Sequence, residues 1–140
     1  MSAIPKWEEM SSGRKAYEIL IAPAGWGILC GLALGVSEPL YLIGVVIGIL
    51  GGIVGGTQHS TARDALLRGL WAGLLFGLAI LLGFELGGED EPAAHIQDPR
   101  ILLLLVTTIP ALPLHWLGWK LRARHDAKLG SAAGPDQPTA

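Results

Sequence analysis

The sequence predicts an all-α integral membrane protein of four transmembrane helices, glycine-zipper packed, with both termini inside. Three observations lead there. The 140 residues hold four apolar blocks, each near the roughly 20 residues that cross a bilayer core of about 30 Å. Three of those blocks carry glycine every fourth residue: Gly27, Gly31 and Gly35; Gly44, Gly48, Gly52 and Gly56; Gly69, Gly73 and Gly77. Small residues at that spacing let a second backbone approach closely in lipid, whereas each glycine in a soluble helix would cost roughly 1 kcal/mol against alanine. The third observation is charge. Of the ten lysines and arginines, only Arg100 falls on the far side of a four-span arrangement. The positive-inside rule then puts both termini and the connector after the second span in the cytoplasm, in a plasma (inner) membrane protein.

Residues 1–16 are polar and read as a loose tail or as a short interfacial helix, since Ile4, Trp7 and Met10 stand three apart. With the long glycine-rich block behind them, they lack the layout of a cleavable signal peptide. The first span is expected over residues 17–36, with Glu18 near the interface and Pro23 kinking the helix by removing a backbone donor. Ser37-Glu38-Pro39 makes a tight turn, and proline opens the second span, residues 40–56. This span is the glycine ladder GVVIGILGGIVGG, the stretch around which the others are expected to assemble. Residues 57–64, TQHSTARD, form a polar connector. Arg63, Asp64 and Arg68 read as capping residues of the third span, residues 65–86, where the Asp64 carboxylate suits the helix N-terminus.

Residues 87–100 make an acidic loop with Glu89, Asp90, Glu91 and Asp98. The fourth span, residues 101–119, has no glycine before Gly118 and contains Thr107, Thr108, Pro110, Pro113 and His115. Beyond it, Lys120, Arg122 and Arg124 suit anionic lipid headgroups. The residues from 130 onward are expected to be a disordered cytoplasmic tail. Trp26, Trp116 and Trp119 fall near helix ends, as interface anchors do. GILCGLAL (Gly27 to Leu34) echoes GLLFGLAI (Gly73 to Ile80), either as a duplicated hairpin or as chance likeness between helices of similar composition.

Little points to catalysis. The chain has no nucleophile elbow, HExxH, paired intramembrane aspartates or phosphate loop, and Cys30 is its single cysteine. Neither an enzyme nor a cofactor or metal site is expected, and no nucleic-acid partner. The polar residues in or beside the spans are the candidates for an ion path. Glu38 and Glu85 stand on the outer side, where carboxylates repeated around an axis would gather cations; a solvated loop explains Glu38 as well, whereas Glu85, still within the apolar run LGFELGG, is expected to face protein or water. Gln58 and His59 either line the inner mouth of a path or satisfy carbonyls at the end of the glycine helix. Thr107 and His115, beside two prolines that free backbone carbonyls, either line a cavity or sit on a bent outer helix. Four short helices packed backbone to backbone leave no pore inside one chain. The expected function is therefore a small homo-oligomeric channel or transporter for cations, with its path between subunits in the lipid bilayer. A non-transporting accessory subunit of a larger membrane complex is the alternative.

Overall fold

Each apolar block forms a helix long and apolar enough to cross a membrane. The computed structural model describes residues 4–88, 90–95 and 98–132. Its four long helices are α1 (Ser12–Val36), α2 (Glu38–Gly56), α3 (Ala62–Gly87) and α4 (Leu103–Ala132). Glu89 of the acidic loop and residues 133–140 of the expected tail lie outside the described residues. The end that carries residues 4–9, the last turns of α4 and the α2–α3 connector is the basic end, and the opposite one the acidic end.

Local chemistry sets the helix boundaries. The Ser11 hydroxyl accepts from Arg14 N at 3.3 Å and caps α1, so that helix starts ahead of residue 17. Thr61 caps α3 in the same way, accepting from Asp64 N at 3.1 Å. Helix α3 stops at Gly88, whose φ of 72° is left-handed and open to glycine without strain. Helix α2, with 19 residues, measures about 28 Å at 1.5 Å per residue, close to the apolar thickness it has to cross. Helix α4 has 30 residues, about 45 Å. Its final stretch, from Lys120 to Ala132, continues as helix past the apolar residues.

Pro23 does not break α1. A π turn over Tyr17–Ile21 precedes it, with Ala22 N donating to Tyr17 O. In that register the next donor, due to Glu18 O, is residue 23, a proline with no N–H. The open carbonyl receives Arg68 Nη2 from α3 instead.

Helix α3 is the centre of the bundle, with α1 packed on one side and α4 on the other. A Cβ at Gly31 would strike Ile80 O and lie 2.7 Å from Phe84 N, and one at Gly83 would strike Ile28 O. On the other flank, a Cβ at Gly69 would lie 2.8 Å from Ala111 O, and one at Gly77 would lie 3.1 Å from Leu104 Cα. Gly35 is half-buried at the acidic end. There the side chains of Cys30, Leu34, Ile80, Phe84 and Leu103 close a small core under Ala94 of the loop, and Ala93 N donates to Leu34 O at 2.8 Å.

Helix α2, the glycine ladder, is not the organising element. It is the least buried of the four and has few contacts with α3. Its acidic-end half leans on α1: Trp26 Nε1 donates to Gly44 O at 2.8 Å, and a Cβ at Gly44 would lie 2.7 Å from Cys30 Sγ. Its basic-end half leans on α4, where Gly56 abuts His115 O and Gly118 abuts Ile53 O. Trp26 is therefore a bridge between helices, well inside α1, and not an interface anchor.

Candidate functional site

The diagonal course of α2 leaves a cleft of about 590 Å³ between it and the other three helices. The volume falls within the roughly 300–1,000 Å³ of small-molecule sites. At mid-span its walls are Trp26 from α1, Val45 and Gly48 from α2, Phe76 from α3, and Thr107 and Pro110 from α4. Tyr41 and Leu103 line its acidic end; Glu18, Gln58 and Arg68 line its basic end.

The polar side chains on this space are held by identifiable contacts. The Thr107 hydroxyl lies 2.9 Å from both Gly73 O and Leu103 O, one of which takes its proton. His115 is only 3 % exposed. Its Nδ1 stands 2.9 Å from Ala111 O, and a carbonyl only accepts, so Nδ1 carries the proton. Nε2 faces Gly55, where a Cβ would stand 3.1 Å from it. The glycines of α2 thus make room for an imidazole, not for a second backbone alone.

Arg68 is the residue that the sequence reading misplaced. It does not cap α3; it is 9 % exposed and lines the cleft six residues, about 9 Å, along the helix from Ala62. Of its five N–H donors, one on Nη2 serves Glu18 O, while Nε and Nη1 are buried without a partner. Gln58, 5 % exposed, leaves Oε1 without one too. A signal for Arg68 was present: with Ala72 and Phe76 it forms a four-residue series beside Gly69, Gly73 and Gly77, and all three line the cleft.

Residues 4–9 strap the basic end. Trp7 N donates to Gln58 O at 2.7 Å, Ser60 Oγ donates to Glu8 Oε1 at 2.6 Å, and Arg122 Nη1 donates to Ile4 O at 3.1 Å. The Trp7 and His59 rings lie 5.2 Å apart, and the Arg68 guanidinium stands 5.9 Å from the Trp7 ring centre. Ile4 and Pro5 close the cleft's mouth. The Ser60 hydrogen bond holds the Glu8 carboxyl below the usual carboxylate range. Burial, helped by Arg68, holds His59 below the usual imidazole range.

Of the residues proposed for an ion path, the structure brings Gln58, Thr107 and His115 onto one cleft. His59 lies beside it, in a smaller pocket of about 210 Å³ behind Arg68. Glu38 and Glu85 are exposed at the acidic end and do not line the cleft; Glu85 pairs with Arg100 at 3.0 Å. Of the basic residues expected at lipid headgroups, Arg124 is exposed. Lys120 lies 4.4 Å from the Trp116 ring centre. Arg122 is turned inward to Asp126, at 3.2 Å, and to Ile4. Among the described residues no cluster of His, Cys, Asp and Glu has the layout of a metal site. No protein-family model, curated protein or solved structure matches the chain.

Proposed function

We propose that this chain is a small membrane channel or transporter whose path is the cleft, with both termini in the cytoplasm of a plasma-membrane protein. The observation that supports this is one space reaching from Gln58 and Arg68 at the basic end to Tyr41 and Leu103 at the acidic end. Polar groups inside a bilayer are costly, and those that persist commonly mark a solute path; Gln58, Arg68, Thr107 and His115 all stand on this one. The buried full charge among them is a guanidinium, so a path here favours an anionic or neutral polar solute over a bare cation.

Cation conduction between copies is the second reading. It rests on Glu38 and Glu85, exposed outside the cleft, and on the exposed apolar face of α2, where Ile43, Val46, Ile47 and Leu50 stand uncovered. That face and the glycines of α2 would pack a homo-oligomer. Flux from proteoliposomes, scanned across anions and cations, separates the readings when paired with particle mass. A Cβ at Gly51 meets nothing within 4 Å, and Gly51 lines the cleft, so Gly51→Phe narrows it without disturbing the packing. Flux that collapses in Gly51→Phe at unchanged particle size supports the cleft. Cation flux that survives Gly51→Phe and falls in Glu85→Gln moves the path between copies. Silence to every ion, and to neutral polar solutes in the same vesicles, overturns transport and leaves the accessory subunit.

A further inference from the structure

We propose that the cleft is a binding site for a single-chain amphipath with an anionic head, the head held at Arg68 and the chain lying under α2. The inference names the solute of the proposed path, and the binding it claims stands or falls separately from transport.

Three features carry it. The first is the unmatched cation. Arg68 is nine-tenths buried, lines the cleft, and keeps Nε and Nη1 without a partner. Leaving such donors buried and unsatisfied is costly, and a carboxylate or phosphate oxygen is the acceptor that a guanidinium fits best. The second is charge balance at the mouth. Arg14, Glu18 and Arg68 line it together, two guanidiniums against one carboxylate. Glu18 Oε1 stands 3.9 Å from Arg14 Nε and its charge also acts on Arg68, so one carboxylate is shared by two guanidiniums and a positive charge is left over. Gln58 Oε1, also unpartnered, can accept a hydroxyl of the same head.

The third feature is the shape and chemistry of what lies beyond the head. Past Arg68 the lining turns to Trp26, Val45, Phe76, Val106 and Leu103, a wall without a full charge that suits an alkyl chain and gives little to a small hydrated ion. Because α2 meets α1 near Gly44 and α4 near Gly56, it stands off the acidic-end half of α4, where Val106 is 45 % exposed while lining the cleft. A chain can enter there sideways from the bilayer, without passing through the strapped mouth.

The test uses the full chain in nanodiscs of phosphatidylcholine, labelled with a diazirine-bearing palmitate. Saturable crosslinks are expected on cleft walls such as Phe76, Val45 and Thr107. Oleate and lysophosphatidylglycerol should compete, while monoolein, whose head carries no charge, competes roughly tenfold less well, the factor of one charge-assisted hydrogen bond. Arg68→Gln should erase that preference, and Arg68→Lys should keep part of it. The comparison of lysophosphatidylglycerol with monoolein in the unmodified chain holds even if Arg68→Gln does not fold. Equal competition by lysophosphatidylglycerol and monoolein overturns the anionic head. Unsaturable labelling spread over exposed positions such as Leu42 and Leu50 overturns the site, since that is bulk lipid. Competition by inorganic phosphate alone overturns the chain and leaves a free-anion site. Saturable labelling in vesicles silent to flux upholds this inference while removing the transport reading; flux without such labelling does the reverse.

Discussion

Helices α2 and α3 carry glycine at the same four-residue spacing and use it in opposite ways. On α3 the glycines meet backbone on both flanks: Gly69 abuts Ala111 O, Gly73 lies against Thr107 O, and Gly83 is on Ile28 O. On α2 they mostly meet the ends of side chains, such as Phe76 Cζ at Gly48 and His115 Cε1 at Gly52, or nothing at Gly51. Only Gly56 of the ladder is pressed onto a neighbouring carbonyl. Small-residue spacing therefore fixes where close approach is allowed. Which face is spent on packing and which is left open depends on the partner, and here the more regular series borders the open space.

Glycine replacements grade that difference. Gly31→Leu should have the largest effect, because the Ile80 carbonyl and Phe84 amide that it would strike belong to a helix backbone and cannot swing aside. Overpacking of this kind costs typically about 1–3 kcal/mol, occasionally more, so most of the monodisperse protein should be lost from detergent extracts. Gly48→Leu should fall between the extremes. Its Cβ would lie 3.3 Å from the tip of the Phe76 ring and 3.6 Å from Trp26, and a ring tip can turn away into the cleft. Gly51→Leu should shift thermal unfolding hardly at all, within the roughly 0.5 kcal/mol of ordinary surface changes. Unfolding temperatures of the three variants in one detergent give the ranking. Equal losses at Gly31 and Gly48 would mean that α2 sits as tightly as α3 and that the cleft closes in the membrane.

The sequence made the four spans legible because length and apolarity alone decide them; the starting point of α1, set by the Ser11 cap, and the far end of α4 were not. That helix overran its apolar stretch because Lys120 to Lys128 contains no helix breaker, and Arg122 and Asp126, four apart, pair on it. The cleft was not legible. It arises from the diagonal of α2, and nothing in the chain's own periodicity says that Gly44 will choose Cys30 while Gly56 chooses His115. Arg68 was read as capping because it lies within two turns of the start of α3. Its burial depends on a vacancy on another helix, the Glu18 carbonyl left open by the π turn and Pro23. That link from a proline on α1 to an arginine on α3 has no signature at any fixed spacing.

The smallest effect concerns the strap, and it too separates the α2 side from the α3 side. The strap binds the connector that follows α2, through Trp7 N to Gln58 O and the Trp7–His59 ring pair. Burial, with Arg68 beside it, prevails over the Asp64 and Glu8 carboxylates and holds the His59 pKa below the ordinary 6.5. A base whose folded pKa is depressed adds stability that is fully present above its unfolded value and is lost as pH falls through the folded one. Acidification below about 6.5 should therefore loosen the strap. Glu8 begins to contribute only lower, below its ordinary value of 4.5, because its folded pKa is depressed as well. Amide exchange should quicken on residues 7–9 and at the connector end of α2, while the Gly31–Gly83 seam keeps its protection. His59→Phe retains a ring against Trp7 and removes the titrating group, so the pH dependence in this range should vanish with it. Should it persist in that variant, another group holds the strap, and if α3 loosens at the same pH, the two halves of the bundle are coupled more tightly than their glycine contacts imply.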